Sequence, residues 1–318
     1  VNGDGIGDFV VNALDLTTGS SISGAHNFVF FGSESLPSLL DPLNLNGGNG
    51  FRLTGIDGGI GRIASAGDFN NDGFDDILAG DNSEGFGGAG EAYVIYGSDA
   101  DFPVDLNVDS LSSLNGGDGS TGFTIRSSDN GSFFGAALDA AGDVNGDGFD
   151  DLLVGAPRGS NFDGDVYLIL GSDVRPSTDV TTAALNLDSL VLRGLRYVSA
   201  VPLSNTGTVV SRGGDINGDG YDDLMIRSGA VDGNRQWVVY GSDLANEVTQ
   251  LGGGTADVFS GTPEKDIIIA GSDHDVIDNI GANDVVRGGE GDDLLTITAL
   301  DFGNIRGGSG QDTVVVAG

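Results

Sequence analysis

Asp143, Asn145 and Asp147 put three side-chain oxygen donors at alternate positions of one short stretch, and Asp151 adds a carboxylate at position nine. Gly148 lets the chain turn sharply between them. The backbone carbonyl of Phe149 stands at position seven. Ca²⁺ takes about six to eight oxygens at roughly 2.3–2.6 Å, and a loop with this spacing can supply most of that shell. The phrase recurs as Asp68, Asn70, Asp72, Phe74 and Asp76, and again as Asp215, Asn217, Asp219, Tyr221 and Asp223. Its tail opens the chain as Asn2, Asp4, Ile6 and Asp8. Asp-Gly and Asn-Gly pairs also mark ordinary tight turns. The repetition of donors at the same positions favours bound cations, and several Ca²⁺ ions per chain are expected.

These loops differ from the EF-hand, which needs a bidentate Glu at position twelve and flanking helices. Position twelve here falls on Ala79, Val154 and Ile226. The residues after each loop, such as Leu152-Leu153-Val154, are short apolar runs that read as buried strands. Each loop therefore leads into a strand, and its cation would pin the strand's entry.

The elements that carry the loops repeat. The first Asp falls at 68, 143 and 215, in steps of 75 and 72 residues. An aromatic or apolar run ending in Gly-Ser follows each loop, with its glycine at 32, 97, 171 and 241. A third marker is Gly50-Phe51, Gly122-Phe123 and, more loosely, Leu190–Arg193. Four short β runs per period, with no convincing helical stripe, describe a four-stranded propeller blade. A stacked solenoid is the rival, although its periods are usually shorter. The insertions at 99–119 and 173–189 read as surface excursions.

Phe134-Gly135 followed by Gly155-Ala156-Pro157, with the acidic loop between, resembles the FG-GAP repeat. The second copy has Ile60-Gly61 and Ala79-Gly80-Asp81 at the two signature places, and the fourth has neither. The resemblance covers about residues 1–245. It implies the β-propeller of integrin α subunits and of many secreted bacterial proteins, with cations on one face and often a part in adhesion.

From Gly252 the period becomes nine: Asp recurs at 257, 266, 275, 284 and 293, then at 312 after nineteen residues. An apolar residue follows two places later each time. Gly288-Gly289-Glu-Gly291-Asp-Asp293 and Gly307-Gly308-Ser-Gly310-Gln-Asp312 fit Gly-Gly-x-Gly-x-Asp in full. This is similar to the RTX nonapeptide, a calcium-binding parallel β-helix. The likeness implies cations shared between coils eighteen residues apart, with Asp257, Asp275, Asp293 and Asp312 and the carbonyls of Gly289, Gly291, Gly308 and Gly310 as candidates. A Gly/Asp-rich flexible linker is the plainer reading, and the strict period argues against it. The expected fold is all-β: four-stranded blades over residues 1–250, the first one truncated, and a parallel β-roll over 251–318.

Composition narrows the function. The 318 residues carry 48 acidic and 13 basic side chains, a net charge of −35, with 38% hydrophobic residues and no cysteine. Such a charge repels nucleic acid and anionic membrane, and no apolar run is long enough for insertion in a bilayer. Disulfide and thiol chemistry are excluded. His26 and His274 lack the serine elbow of a triad and read as exposed turn residues. The dense Asp clusters are accounted for as cation cages. Gly58–Gly61 mimics a phosphate loop without a following helix. Arg193, Arg196, Arg212, Arg227 and Arg235 gather in the fourth repeat, where an acidic glycan could bind, although solvated surface is the simpler reading. We expect a non-enzymatic, calcium-stabilised adhesion or matrix protein, extracellular or on a bacterial cell surface. The RTX likeness implies type I secretion. The sequence starts inside a motif and is treated as a fragment or processed product. The expected partners are an extracellular glycan or protein ligand, or copies of the chain itself. The alternatives are a non-catalytic part of a polysaccharide-degrading enzyme and a self-assembling surface-layer or filament subunit.

Overall fold

The fold is that of a computed structural model, which describes all residues except 15–24, 36–39, 56–61, 83–87, 177, 186–191, 199–202, 230–233, 245–247, 254, 282 and 318. The Ile60-Gly61 signature, the Gly58–Gly61 string and Leu190 lie outside the described residues. Strands and turns make up nearly all the rest; the α-helix among the described residues is the single turn Gly159–Phe162.

Alternating apolar and small polar residues, broken by glycine, give short strands throughout. The first repeat supplies β1 (Phe9–Leu14), β2 (Ala25–Phe30) and β3 (Gly50–Thr54). The second supplies β4 (Arg62–Gly67), β5 (Asp76–Asp81), β6 (Glu91–Ile95), β7 (Asp105–Asn107) and β8 (Gly122–Arg126). The third holds β9 (Ala137–Gly142), β10 (Asp151–Ala156), β11 (Asp165–Ile169), β12 (Asp179–Thr181) and β13 (Gly194–Val198). The fourth holds β14 (Val209–Gly214), β15 (Asp223–Arg227) and β16 (Gln236–Val239). The first three repeats build antiparallel blades, as in the β4-β5-β6-β8 meander, and β14, β15 and β16 form the sheet of the fourth. The acidic loops join β4 to β5, β9 to β10 and β14 to β15, and the shortened copy precedes β1.

Strand alternation fixes what each blade face touches. Ile77, Ala79, Tyr93 and Ile95 pack with Val29, Phe31, Phe51 and Leu53 of the first blade. Leu78, Ala92, Val94 and Tyr96 point the other way, against Leu152, Val154, Tyr167 and Ile169 of the third. The second blade is thus buried on both faces.

Three expectations need correction. The insertions are not surface excursions. β7 adds in parallel to β3 of the preceding blade, and β12 adds in parallel to β8. Val108 and Leu111, just past β7, are buried in the core between the first two blades. Each insertion carries a few apolar residues that find a preformed blade face, Leu106, Val108 and Leu111 in the first and Val180 in the second. The outer strand of the third blade is β13, which pairs Gly194–Val198 with β11, and of the loosely matched marker the described Leu192 and Arg193 precede it. His26 lies within β2 rather than in a turn before it.

The last strands are β17 (Gln250–Gly253), β18 (Val258–Ser260), β19 (Ile267–Gly271), β20 (Val276–Ile280), β21 (Val285–Glu290), β22 (Leu294–Ile297), β23 (Ile305–Ser309) and β24 (Thr313–Val316). They form two parallel sheets, β17-β19-β21-β23 and β18-β20-β22-β24, so the chain winds as a β-solenoid. Partners are eighteen residues apart, as in Ile268↔Val286 and Ile277↔Leu295. The next coil pairs Val286 with Ile305, absorbing the inserted residue. Ile268, Ile277, Val286 and Leu295 fill the thin core.

The chain forms two compact units. One comprises Val1–Ala140, Asp151–Ser211 and Met225–Trp237; the other comprises Ala141–Asp150, Arg212–Leu224 and Val238–Gly318. Residues 143–150 and 215–223 of two acidic loops belong to the second unit, with the solenoid.

Candidate metal centres

In each blade loop the donors at positions one, three and five turn inward. Asp68 Oδ1 and Asn70 Oδ1 both accept the Asp72 amide, each at 3.0 Å. Asp215 Oδ1 and Asn217 Oδ1 share the Asp219 amide, at 3.1 and 3.0 Å. One donor serving two side chains means that those oxygens converge. Asp72, Asp147 and Asp219 then accept the amides of Phe74, Phe149 and Tyr221, each at 3.1 Å, and Asp4 accepts that of Ile6 at 2.8 Å. Asn2 accepts the Asp4 amide at 3.3 Å. The turn glycines Gly5, Gly73, Gly148 and Gly220 have φ between 76° and 95°, the left-handed region that glycine enters without strain.

The carboxylate at position nine does something its spacing did not announce. Asp8, Asp76, Asp151 and Asp223 accept the amides of Gly32, Gly97, Gly171 and Gly241, at 2.8, 2.8, 2.8 and 2.9 Å. These are the glycines of the Gly-Ser marker. The second oxygens of Asp76 and Asp223 accept Phe69 and Ile216 amides inside the loop, at 3.2 and 2.8 Å. The marker serine reaches onward: Ser98, Ser172 and Ser242 donate their amides to Val1, Phe69 and Val144 of the preceding loop, at 2.9, 3.0 and 3.0 Å. One dipeptide thus ties its own loop to the previous repeat's loop. The signal for it was the recurrence of Gly-Ser after every loop.

Burial makes these carboxylates uncomfortable as bare anions. Burial pushes Asp76 up to about 8, with the charges of Asp72 and Asp68 adding to the shift and the Gly97 hydrogen bond opposing it. Burial also raises Asp223, aided by Asp219 and Asp215. Burial raises Asp143 too, and the adjacent Arg287 guanidinium opposes it.

The solenoid has its own ladder of carboxylates. Asp275 Oδ1 accepts the Asp257 amide at 2.7 Å, Asp293 Oδ1 the Asp275 amide at 2.8 Å, and Asp312 Oδ1 the Asp293 amide at 3.1 Å. The Oδ2 atoms of Asp275 and Asp293 are buried without a hydrogen-bond partner. Burial raises both groups, and neighbouring carboxylates add to the shift. A Cβ at Gly289 would sit 1.8 Å from Gly271 O, and one at Gly310 the same distance from Gly291 O. The equivalent distances are 2.2 Å from Asp273 O for Gly291 and 2.0 Å from Gly289 O for Gly308. Only glycine allows coil carbonyls this close beside the Asp column.

An orphaned buried carboxylate oxygen costs on the order of several kcal/mol unless a cation or proton meets it. Asp275, Asp293 and the crowded carbonyls therefore fit a hard divalent ion. Among the described residues no three acidic or histidine side chains stand together as a ready cluster. Asn oxygens and backbone carbonyls would complete each shell. His274 is exposed and accepts the Asp292 amide at Nδ1, at 2.8 Å. Of the five arginines expected in the fourth repeat, Arg196 lies on β13 of the third and pairs with Asp165 at 2.8 Å, and Arg212 pairs with Asp222 at 3.0 Å.

Comparison with known proteins agrees with this blade architecture. Residues 60–95 and 134–169 match the FG-GAP repeat, so the second and third blades carry that repeat. The chain is similar to integrin alpha-PS2 of Drosophila melanogaster, 31% identical over 192 residues, which is 57% of this chain and 12% of that protein. It is 32% identical over 187 residues to integrin alpha-7 of Mus musculus, 57% of this chain and 13% of that protein. It is also 29% identical over 178 residues to a phosphatidylinositol-glycan-specific phospholipase D of Dictyostelium discoideum, covering 53% of this chain and 18% of the relative. The chain thus spans less than a fifth of the length of each of these relatives.

Proposed function

We propose that this chain is a calcium-stabilised, non-catalytic binding part of an extracellular adhesion or matrix protein. The observation that carries the reading is the pair of orphaned buried oxygens on Asp275 and Asp293; the converging oxygen donors of the blade loops add to it. Similarity to integrin alpha chains supports a protein or glycan ligand. No helix among the described residues is long and apolar enough to cross a membrane. Secretion from a bacterium by the RTX route belongs to the same proposal and rests on the nonapeptide spacing.

Extracellular calcium modules bind with dissociation constants of roughly 10⁻⁴–10⁻³ M. At a tenfold excess of free ion each site adds about 1.4 kcal/mol. Half a dozen such sites approach the ~5–15 kcal/mol net stability of a whole domain. Thermal unfolding with calcium and with chelator tests this. The expected midpoint difference is on the order of 10 °C or more, and a difference under about 2 °C defeats the proposal.

The phospholipase D match favours a second reading, in which this part accompanies a hydrolase domain encoded elsewhere in a longer protein. Assaying the full-length protein for hydrolysis of phospholipid and polysaccharide separates the two.

A further inference from the structure

We infer that the loop starting at Asp143 is neutralised by an arginine of the chain itself, Arg287, and does not take the divalent cation its sequence invites. The inference goes beyond the calcium reading and uses it only for the contrast with the other loops. Asp143 is fully buried, and its Oδ2 accepts from Arg287 Nη2. The same oxygen accepts the Gly148 amide at 2.6 Å, and Oδ1 accepts the Gly146 amide at 2.6 Å. A carboxylate has about four acceptor sites, and three are taken here by the loop and the guanidinium.

The solenoid's alternation delivers the arginine. Val286 is in the core, so its neighbour Arg287 points out of the same strand. One coil on, Arg306 stands in register with Arg287 and gives its Nη2 to Asp150 Oδ1 at 3.1 Å. Asn304 Nδ2 donates to Gly148 O at 2.9 Å, so that carbonyl also has a partner. The loop is roofed as well. A Cβ at Gly146 would lie 2.5 Å from Ile269 Cδ1, and one at Gly148 would lie 2.8 Å from Val285 Cγ1. Asp143, Asn145 and Asp147 are all buried; in the loop starting at Asp68 only Asn70 of the three is, and in the loop starting at Asp215 none is.

Charge and sterics point the same way. A guanidinium stays protonated at any working pH and grips a carboxylate with a fixed fork. An entering Ca²⁺ would have to expel it and leave Arg287 buried without its partner, which is the costly way to break a buried pair. The loop starting at Asp143 is therefore a seam between segments of the second unit, with the cation supplied from within.

Two measurements on the full chain test this. In chelator, R287M is expected to lower the unfolding midpoint by roughly 5–10 °C in the native background and by far less when D143N is already present. Additive losses overturn the inference. In millimolar calcium, native mass spectrometry counts bound ions. D143N is expected to keep the native count, D215N to lose one ion, and R287M to gain one at the freed carboxylate. Loss of an ion in D143N, or no gain in R287M, overturns the inference. If the unmodified chain binds no calcium, the proposed function falls, and the chelator cycle alone decides this point.

Discussion

Asp76 and Asp223 each hold the amide of a Gly-Ser corner, and the corner glycine has no room for a side chain. A Cβ at Gly97 would meet Asp75 O at 2.5 Å, and one at Gly241 would meet Asp222 O at the same distance. At the residue scale, then, glycine serves two purposes that sequence does not distinguish. Gly131 needs its left-handed φ of 77°, but nothing lies within 4 Å of an added Cβ. Gly289 combines a φ of 103° with a carbonyl 1.8 Å from where a Cβ would go. G131A is expected to cost about 1 kcal/mol, the usual left-handed penalty. G289A is expected to cost more than about 3 kcal/mol, because two backbones must part. Equilibrium urea unfolding of both variants checks this, and equal losses would refute it.

Among the elements, the insertions after β6 and β11 matter most. Each lends a short parallel strand to the previous blade, and the first also buries Leu106, Val108 and Leu111 in the core between blades. Blades so joined share hydrogen bonds as well as apolar faces. L111A is expected to destabilise the chain by about 2–5 kcal/mol, as for a buried leucine elsewhere. A surface excursion would give less than about 0.5 kcal/mol. Denaturant titration of L111A beside L114A, whose leucine is 82% exposed, distinguishes the two.

For the whole molecule the dominant fact is a net charge of −35 on a chain that buries Asp76, Asp143, Asp151, Asp223, Asp275 and Asp293. Diffuse self-repulsion and local burial respond to different ions. Monovalent salt shortens the screening length to about 10 Å at 0.1 M and acts on exposed charges. It does not neutralise a buried carboxylate such as Asp275 or Asp293. In chelator, raising sodium chloride from about 0.02 to 0.5 M is expected to recover only a few degrees, while millimolar calcium recovers far more. Differential scanning calorimetry under the three conditions checks this; equal recovery by salt would mean that screening alone governs stability.

Local pattern was enough to read the all-β class, the repeated blades and the parallel coil near the end of the chain. Strand alternation, glycine turns and oxygen spacing are properties of a few neighbouring residues, and they recur in Asp68–Asp76, Asp215–Asp223 and Gly288–Leu295. What the sequence left open depended on residues far apart along the chain. Leu111 looked like surface until its segment met a blade face, and nothing near Asp143 in the sequence announces Arg287, 144 residues away, as its partner. Spacing says which atoms a loop can offer. The tertiary fold decides which of those atoms already has a partner, because a buried carboxylate goes to whichever positive charge the packing brings to it.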